Sequence, residues 1–519
     1  MEWNLADMFE ATADAVPDRT ALVCWEHRLT YGELEARANR VAHHLQSQGV
    51  RPGDHLGIYA SNCAEWVEVM LGAYKARAVP VNVNYRYVDD ELRYLFDNAD
   101  MVALVHQPEY AERVAAVRDD VPSLRFTLEM GDDYERALAA SSPERDFAPR
   151  AADDRYVLYT GGTTGMPKGV VWRHDDAFFA LLGGGNFGGP PVATPDELAR
   201  KAPDSGLLVA LVCPPLMHGG GQWTTLSGLL GGAVIVLLEG RFDPVRVWEI
   251  VTRDGVNTMS LIGDAMARPL ADAYRASPDA YDASKLFVIG SGGAPLTPTV
   301  KQELKTLLPH VLIMDSFGAS ETGYQGRVEA DSDDANPHFT MSDVNAVLDD
   351  DLHVVQPGSG VVGRVARRGH IPLEYYKDAA KTAETFVDVD GERWALLGDM
   401  ATVEADGTIT LFGRGSMCIN SGGEKIFPEE VEAALKAHPD VFDALVVGLP
   451  DDRFGERVAA VVAPREGHHP TGDALAAHCR ESVAGYKVPR EFHFTTDSLR
   501  QPSGKPDYRH AKEVATKGR

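Results

Sequence analysis

The residues with the clearest chemical purpose lie in one run, YVLYTGGTTGMPKGV, which begins at Tyr156. A β-type stretch over 156–159 feeds a loop dense in glycine and threonine that contains one lysine, Lys168. Glycine lets backbone N–H groups approach an anion and face it. Thr163 and Thr164 add hydroxyl donors, and Lys168 adds a positive charge. That combination suits the oxygens of a polyphosphate. It is not the GxxxxGK[ST] loop, because Lys168 follows a proline and precedes Gly169. A short Gly/Thr loop by itself reads as a turn. The full string TGGTTGMPKG is far more specific. Elsewhere, single residues carry little weight alone. Asp399 after Gly398 reads as a turn former. Glu321 reads as a solvated charge, Lys505 as one cation of a basic tail, and His218 as a core histidine.

The elements that must position these residues alternate along most of the chain. Strands are expected at 20–25, 55–60, 79–83 and 101–105, and helices at 31–48, 66–76 and 89–98. Thr30 and Glu33 form a capping box at the start of the first of these helices. This βαβα rhythm returns across 205–315 and predicts parallel sheets covered by helices. Near Gly413 the texture changes. Residues 394–411 alternate in the manner of short antiparallel strands around the turn Ala405-Asp406-Gly407. The run FPEEVEAALKAH then reads as a helix, with Pro428 near its first position and acidic residues in its first turn. Further strands at 441–448 and 458–463, another helix and a basic tail follow. The expected division is an N-terminal domain over 1–413, a hinge over 414–417 and a small α+β domain over 418–519.

The chain of 519 residues exceeds one ordinary core. Its formal net charge of −27 disfavours nucleic acid and anionic membranes as partners. A nucleotide would therefore need a locally positive or amide-rich pocket. The five cysteines, Cys24, Cys63, Cys213, Cys418 and Cys479, are scattered without paired spacing. They predict reduced thiols in a cytoplasmic protein, with neither a disulfide framework nor a zinc site. The N-terminal stretch lacks the basic and apolar regions of a signal peptide. No apolar run reaches the roughly 18 residues of a membrane span.

The run from Tyr156 resembles the signature loop of the adenylate-forming superfamily, which includes acyl-CoA synthetases, peptide-synthetase adenylation domains and luciferases. Further matches follow in that family's order: PPLMH ending at His218, SGGAPL from Ser291, FGASETG from Phe317, WALLGD ending at Asp399, Gly413-Arg414, SGGEKI from Ser421, and PSGK ending at Lys505. The resemblance implies an α/β fold: a large N-terminal domain with parallel βαβ sheets and a small β-barrel-like subdomain, then a small mobile α+β lid. It implies ATP, Mg²⁺ and coenzyme A as cofactors and a small carboxylic acid as substrate.

Attack of a carboxylate on the α-phosphate of ATP brings two anions together. The site must neutralise charge and align reactants; it need not supply a covalent nucleophile. By resemblance, Thr160, Gly161, Gly162, Thr163, Thr164, Gly165 and Lys168 cradle the β- and γ-phosphates. Glu321, with Thr164, holds Mg²⁺. Ser320 stands where the family usually has threonine and keeps a hydroxyl for the α-phosphate. Phe317 stacks on adenine where relatives mostly carry tyrosine. Gly293, Ala294 and Pro295 form the wall beside the base, and Asp315, Ser316 and Gly318 complete the nucleotide set. Asp399 accepts from both ribose hydroxyls, a task suited to a carboxylate, and Arg414 helps there. Lys505 bridges the carboxylate and phosphoester oxygens. His218 gates the acyl pocket near the path of the thiol. A swing of the lid then withdraws Lys505 and brings in Gly422, Gly423 and Glu424 beside the pantetheine arm.

Besides Ser320 and Phe317, the sequence departs from the pattern in three further places. The hinge run is Arg414-Gly415-Ser416-Met417-Cys418, where the family carries Asp or Lys, so Ser416 is the expected pivot. Leu397 replaces the usual threonine of the "T-G-D" element, and Pro506 follows Lys505. With VNVNYRY over 81–87 and GGEKIFP over 422–428, these variants resemble actinobacterial acyl-CoA ligases of fatty-acid and steroid side-chain breakdown. The stretches that line the acyl pocket in the family carry Gly219, Gly220, Gly221, Gly263, Gly292, Gly293 and Gly318 here. Few bulky side chains are then expected to oppose the ligand, which points to a medium/long-chain or steroid side-chain acid. Asp264 and Asp315 keep an amino-acid substrate open. An acid:carrier-protein ligase, a luciferase-type oxidation and a non-catalytic nucleotide-binding module are the alternatives. A homodimer is left open.

Overall fold

Apolar runs without polar alternation form strands buried on both faces. All five residues of His55–Tyr59 are buried. That strand lies between Val79–Asn82 and Met101–His106, and Phe126–Glu129 completes a four-stranded, all-parallel sheet. The helices Ala64–Lys75, Asp89–Asn98 and Ala111–Arg118 make the crossovers. The computed structural model that shows this describes residues 2–161, 166–186, 189–204, 208–328, 338–421, 424–451, 455–501 and 504–517, apart from the side chains of Arg414, Ser416 and Lys425.

A second sheet runs from Thr20–Cys24 through Val234–Leu237, Val209–Val212, Thr258–Leu261 and Val288–Ser291 to Leu312–Ala319, every neighbouring pair parallel. Leu312–Ala319 has two partners. Its residues 312–315 pair in parallel with Val288–Ser291, whereas 316–319 pair antiparallel with Gly323–Val328. From there the sheet continues antiparallel through His338–Met341, Ile409–Arg414, Glu392–Val403, Gly363–Arg368 and Asn345–Leu348. The hairpin Arg155–Thr160 and Lys168–Arg173 forms a third sheet with Glu374–Tyr375. Lys168 therefore opens a return strand, directly across from Thr160, instead of ending a loop.

The C-terminal part has its own five-stranded sheet, dominated by the hairpin Val441–Asp451 and Gly455–Pro464. The helices Pro428–Lys436, Gly472–Cys479 and Tyr508–Lys517 accompany it. Its strands outrun the expected 441–448 and 458–463 because 449–451 still pair with 455–457. The α/β class, with a large N-terminal domain carrying parallel sheets and a smaller α+β C-terminal domain, is the one the sequence implied.

Candidate active site

Open α/β sheets bind ligands beyond the carboxyl ends of their strands, where the topology switches. Here the crossovers reverse between Val209–Val212 and Thr258–Leu261, and the last parallel pairing, Ser291 with Asp315, gives way to antiparallel pairing at Ser316. Ser316 Oγ donates to Ser291 O at 2.9 Å, tying the end of one strand to the next. Asp315 is buried, and burial pushes its carboxyl up to about 8; the Lys301 charge pulls it down and Asp264 pushes it further up. Gly318 packs so tightly that a Cβ there would lie 2.1 Å from Gly323 O, which fixes the turn carrying Ser320 and Glu321. Phe317 meets Phe339 edge-on, centroids 4.9 Å apart.

The phosphate-loop hairpin is braced by a buried asparagine. Asn82 accepts from Tyr159 N at 2.8 Å and donates to Tyr159 O at 2.8 Å and Met217 O at 2.7 Å. Asn62 does the same for the neighbouring segment, donating to Pro214 O at 3.2 Å and accepting from Leu216 N at 2.7 Å. The strand entering the Gly/Thr loop and the segment leading to His218 are thus held in fixed relation.

On the return strand, Lys168 Nζ lies 2.5 Å from Asp378 Oδ2 and 5.9 Å from the centroid of the Tyr375 ring. Tyr375 Oη donates to Glu321 Oε1 at 2.7 Å, and Trp172 Nε1 donates to Ser320 O at 3.0 Å. The lysine, the carboxylate and the Ser320 turn are therefore one connected assembly. Tyr375 and Asp378 are its organisers, and nothing in their local sequence marks them.

Lys505 reaches this region from the C-terminal domain. It sits on a tight turn closed by Gly504 N donating to Gln501 O at 2.8 Å and Gln501 N donating to Lys505 O at 2.7 Å. Gly504 has φ +78°, and a Cβ on it would lie 2.7 Å from Ile262 Cγ2, so the turn is pressed onto the N-terminal domain. The His218 imidazole is held down to about 3 by burial first, then by the Lys505 and Arg86 charges. It stays neutral at working pH, and its Nε2 finds no hydrogen-bond partner among the described residues. At the opposite edge, Asp399 pairs in register with Arg414. The Glu429 carboxylate fills the space where a Cβ of Gly413 would stand, 2.1 Å from its Oε1.

Residues 9–376 match the AMP-binding enzyme family, and residues 430–505 match the AMP-binding enzyme C-terminal domain. The chain belongs to the AMP-binding enzyme family. It is 52% identical to the medium/long-chain-fatty-acid–CoA/3-oxocholest-4-en-26-oate–CoA ligase of Mycolicibacterium smegmatis, covering 99% of this chain and 97% of that protein. It is 49% identical to the 3-oxocholest-4-en-26-oate–CoA ligase of Rhodococcus rhodochrous, covering 99% and 96%. Among solved structures, ATP-bound MatB from Rhodopseudomonas palustris superposes with a TM-score of 0.84 at 23% identity, over 98% of each chain, which speaks for the fold.

Against the family's loop pattern, Thr160, Gly161 and Lys168 flank the mouth of the hairpin, while Gly162, Thr163, Thr164 and Gly165 lie outside the described residues, as do Gly422 and Gly423. Glu424 opens the strand Glu424–Ile426. Gly293 has φ +79° with no atom within 4 Å of a built Cβ, and Pro295 O accepts from Asp264 N at 3.0 Å. Ala294 packs on the core beneath. Glu321 fits a Mg²⁺ site of the kind that pairs one carboxylate with substrate phosphates and waters. Among the described residues no group of three or more His, Cys, Asp or Glu could hold a metal.

One inference from glycine content needs correcting. Cβ atoms at Gly219, Gly221, Gly263 and Gly318 would fall within 3.0 Å of neighbouring atoms, so these glycines serve close packing. Only Gly220 and Gly293, of the seven counted as pocket-widening, face open space.

Proposed function

We propose that this chain activates a carboxylic acid with ATP and transfers the acyl group to coenzyme A. In the first step a carboxylate oxygen attacks the α-phosphorus, the bond to the bridging oxygen breaks, and pyrophosphate leaves. In the second the CoA thiolate attacks the acyl-AMP carbonyl and AMP is expelled, the thiol proton passing to solvent. The observation that carries this reading is the seat of Lys505 beside His218, with the Lys168–Tyr375–Glu321 assembly braced to the same segment through Asn82.

Lys168 and the loop amides offset charge on the leaving pyrophosphate, and Lys505 offsets it between the two reacting anions. Glu321 and Thr164 would hold Mg²⁺, which would supply charge neutralisation on the polyphosphate. Phe317, Gly293, Ala294 and Pro295 frame the base, Asp315, Ser316 and Gly318 support it, and Asp399 and Arg414 take the ribose. Ser320 serves the α-phosphate. Neutral His218 lines the acyl side without acting as a base. The unit boundary is placed at 414–417, with the lid swing bringing Gly422, Gly423 and Glu424 to the thiol. The acid proposed is a medium/long-chain or steroid side-chain carboxylate, which agrees with the names of the relatives at 49–52% identity.

The test incubates the purified protein with ATP, Mg²⁺, CoA and acids from acetate through dodecanoate to a C₂₇ steroid acid, with products read by mass spectrometry. Acyl-CoA and AMP from the longer acids, lost in Lys505→Ala, are expected. Best activity on acetate or an amino acid would sink the substrate assignment. Acyl-AMP without acyl-CoA would transfer the second step to a carrier protein.

A further inference from the structure

The C-terminal domain docks on the first turns of the helix Gly263–Ala276. The Gly504 turn covers Ile262 and Ala265. Beside it, Lys436, the last residue of the helix Pro428–Lys436, inserts its ammonium 3.7 Å from Asp264 Oδ2. Their side chains are only 3% and 6% exposed. Arg268 Nη2 donates to Lys436 O at 3.4 Å, and the more exposed pair Arg465–Asp272 lies further along at 3.4 Å.

Asp264 is tied into the N-terminal site. It accepts from Thr297 N at 2.8 Å and Thr297 Oγ1 at 3.2 Å, while Gly263 N donates to Ser291 Oγ at 3.1 Å. Among the described residues its Oδ2 has no hydrogen-bond partner, so the Lys436 charge faces the oxygen that Thr297 leaves uncommitted. Lys436 is tied just as firmly to the Lys505 turn. Its helix is fixed to Val441–Asp451 by Glu432 accepting from Val446 N at 3.0 Å. On that strand, Asp443 takes Arg500 in a two-pronged pair at 2.6 and 2.7 Å, and Arg500 immediately precedes the 501–505 turn. Exposed ion pairs at a domain interface are worth little. A buried charge facing a buried charge is different, because a shift of the domain strands both in a low-dielectric gap.

We infer that Lys436 is a positioning residue for Lys505: by pairing with buried Asp264 it sets the one seat of the C-terminal domain in which Lys505 faces the His218 side of the site. This rests on the proposed role of Lys505 in adenylation. The remaining charges around the Lys436–Asp264 pair are Glu432, Glu429, Asp443 and Arg500 of the C-terminal domain and Arg268 of the other. None of these carboxylates belongs to the N-terminal domain, so none can replace Asp264 as the cross-domain partner.

The test uses the full chain as wild type, Lys436→Met, Lys505→Ala, Lys436→Met/Lys505→Ala and Lys436→Met/Asp264→Asn. Hydrogen exchange reports the seat whether or not the acid panel contains the substrate. Lys436→Met is expected to speed exchange at 262–266 and 504–506 at least about tenfold, with Lys505→Ala near wild type and Lys436→Met/Asp264→Asn closer to wild type than Lys436→Met, because Asp264 is then no longer a buried charge without its cross-domain partner. Pyrophosphate release with dodecanoate should fall about 30-fold in Lys436→Met but less than about threefold further when Lys505 is already absent. Unchanged exchange in Lys436→Met overturns the inference, as does an equal loss of activity in both backgrounds. No pyrophosphate from the wild type would count against the function and leave exchange to decide the seat.

Discussion

Asp315 carries a measurable cost in its titration. Its carboxyl titrates near 8 when folded, above the ordinary 3.8, because burial disfavours the charged form. Between those values the unfolded chain has released a proton that the folded chain keeps. Stability is therefore lost as pH rises through this window, by up to about 1.4 kcal/mol per pH unit. Asp315→Asn removes the titration. The variant should melt above wild type at pH 8, with the gap shrinking at pH 6; a gap independent of pH in circular-dichroism melts would contradict the assignment. Tyr375 is the second case. Tyr375→Phe deletes one hydrogen bond to the Glu321 carboxylate, worth about 1.5–3 kcal/mol. Half-saturating Mg²⁺ should then rise about tenfold alongside a lowered melting temperature; an unchanged Mg²⁺ requirement would separate Tyr375 from the metal. The phosphate loop was legible because its residues are contiguous. Tyr375 and Asp378 were not, since they meet Glu321 and Lys168 across 54 and 210 residues without any shared spacing.

At the scale of elements, strand and helix identity followed from periodicity. Strand partnership did not. The run at 79–83 read correctly as a strand, but its role depends on one side chain that no alternation pattern singles out. Asn82 spends both amide hydrogens and its carbonyl oxygen on Tyr159 and Met217 in a site only 5% exposed. Asn82→Ala leaves one N–H and two carbonyls unpaired, at about 1–3 kcal/mol for each that water cannot reach. Asn82→Asp keeps the volume and the acceptor yet sets a carboxylate against two carbonyl oxygens. Both variants should lower the urea midpoint, and near-isosteric Asp should be no milder than Ala. If Asp were neutral, the bracing would be packing and not hydrogen bonding. The switch from parallel to antiparallel pairing inside Leu312–Ala319 was also illegible, because each half of the strand is defined by partners distant in sequence.

For the whole molecule, charge and docking pull in opposite directions. The net charge of −27 surrounds a site whose cations, Lys168, Arg86 and Lys505, are few and local. No helix among the described residues is long and apolar enough to cross a membrane. The sequence showed the imbalance and, by resemblance, placed Lys505 on the C-terminal lid, but not the Lys436–Asp264 contact between the domains, which has no motif. At about 10 mM salt the Debye length is roughly 30 Å, and the whole surface repels an incoming polyanion; at about 150 mM it is roughly 8 Å, and only the groups lining the cleft are felt. If the global field governs encounter, kcat/KM for ATP and for CoA should rise about two- to threefold as KCl goes from about 10 to 150 mM at fixed Mg²⁺. A monotonic fall over that range would mean that the local cations dominate even at a Debye length of roughly 30 Å, and that the acidic surface plays no part in substrate capture.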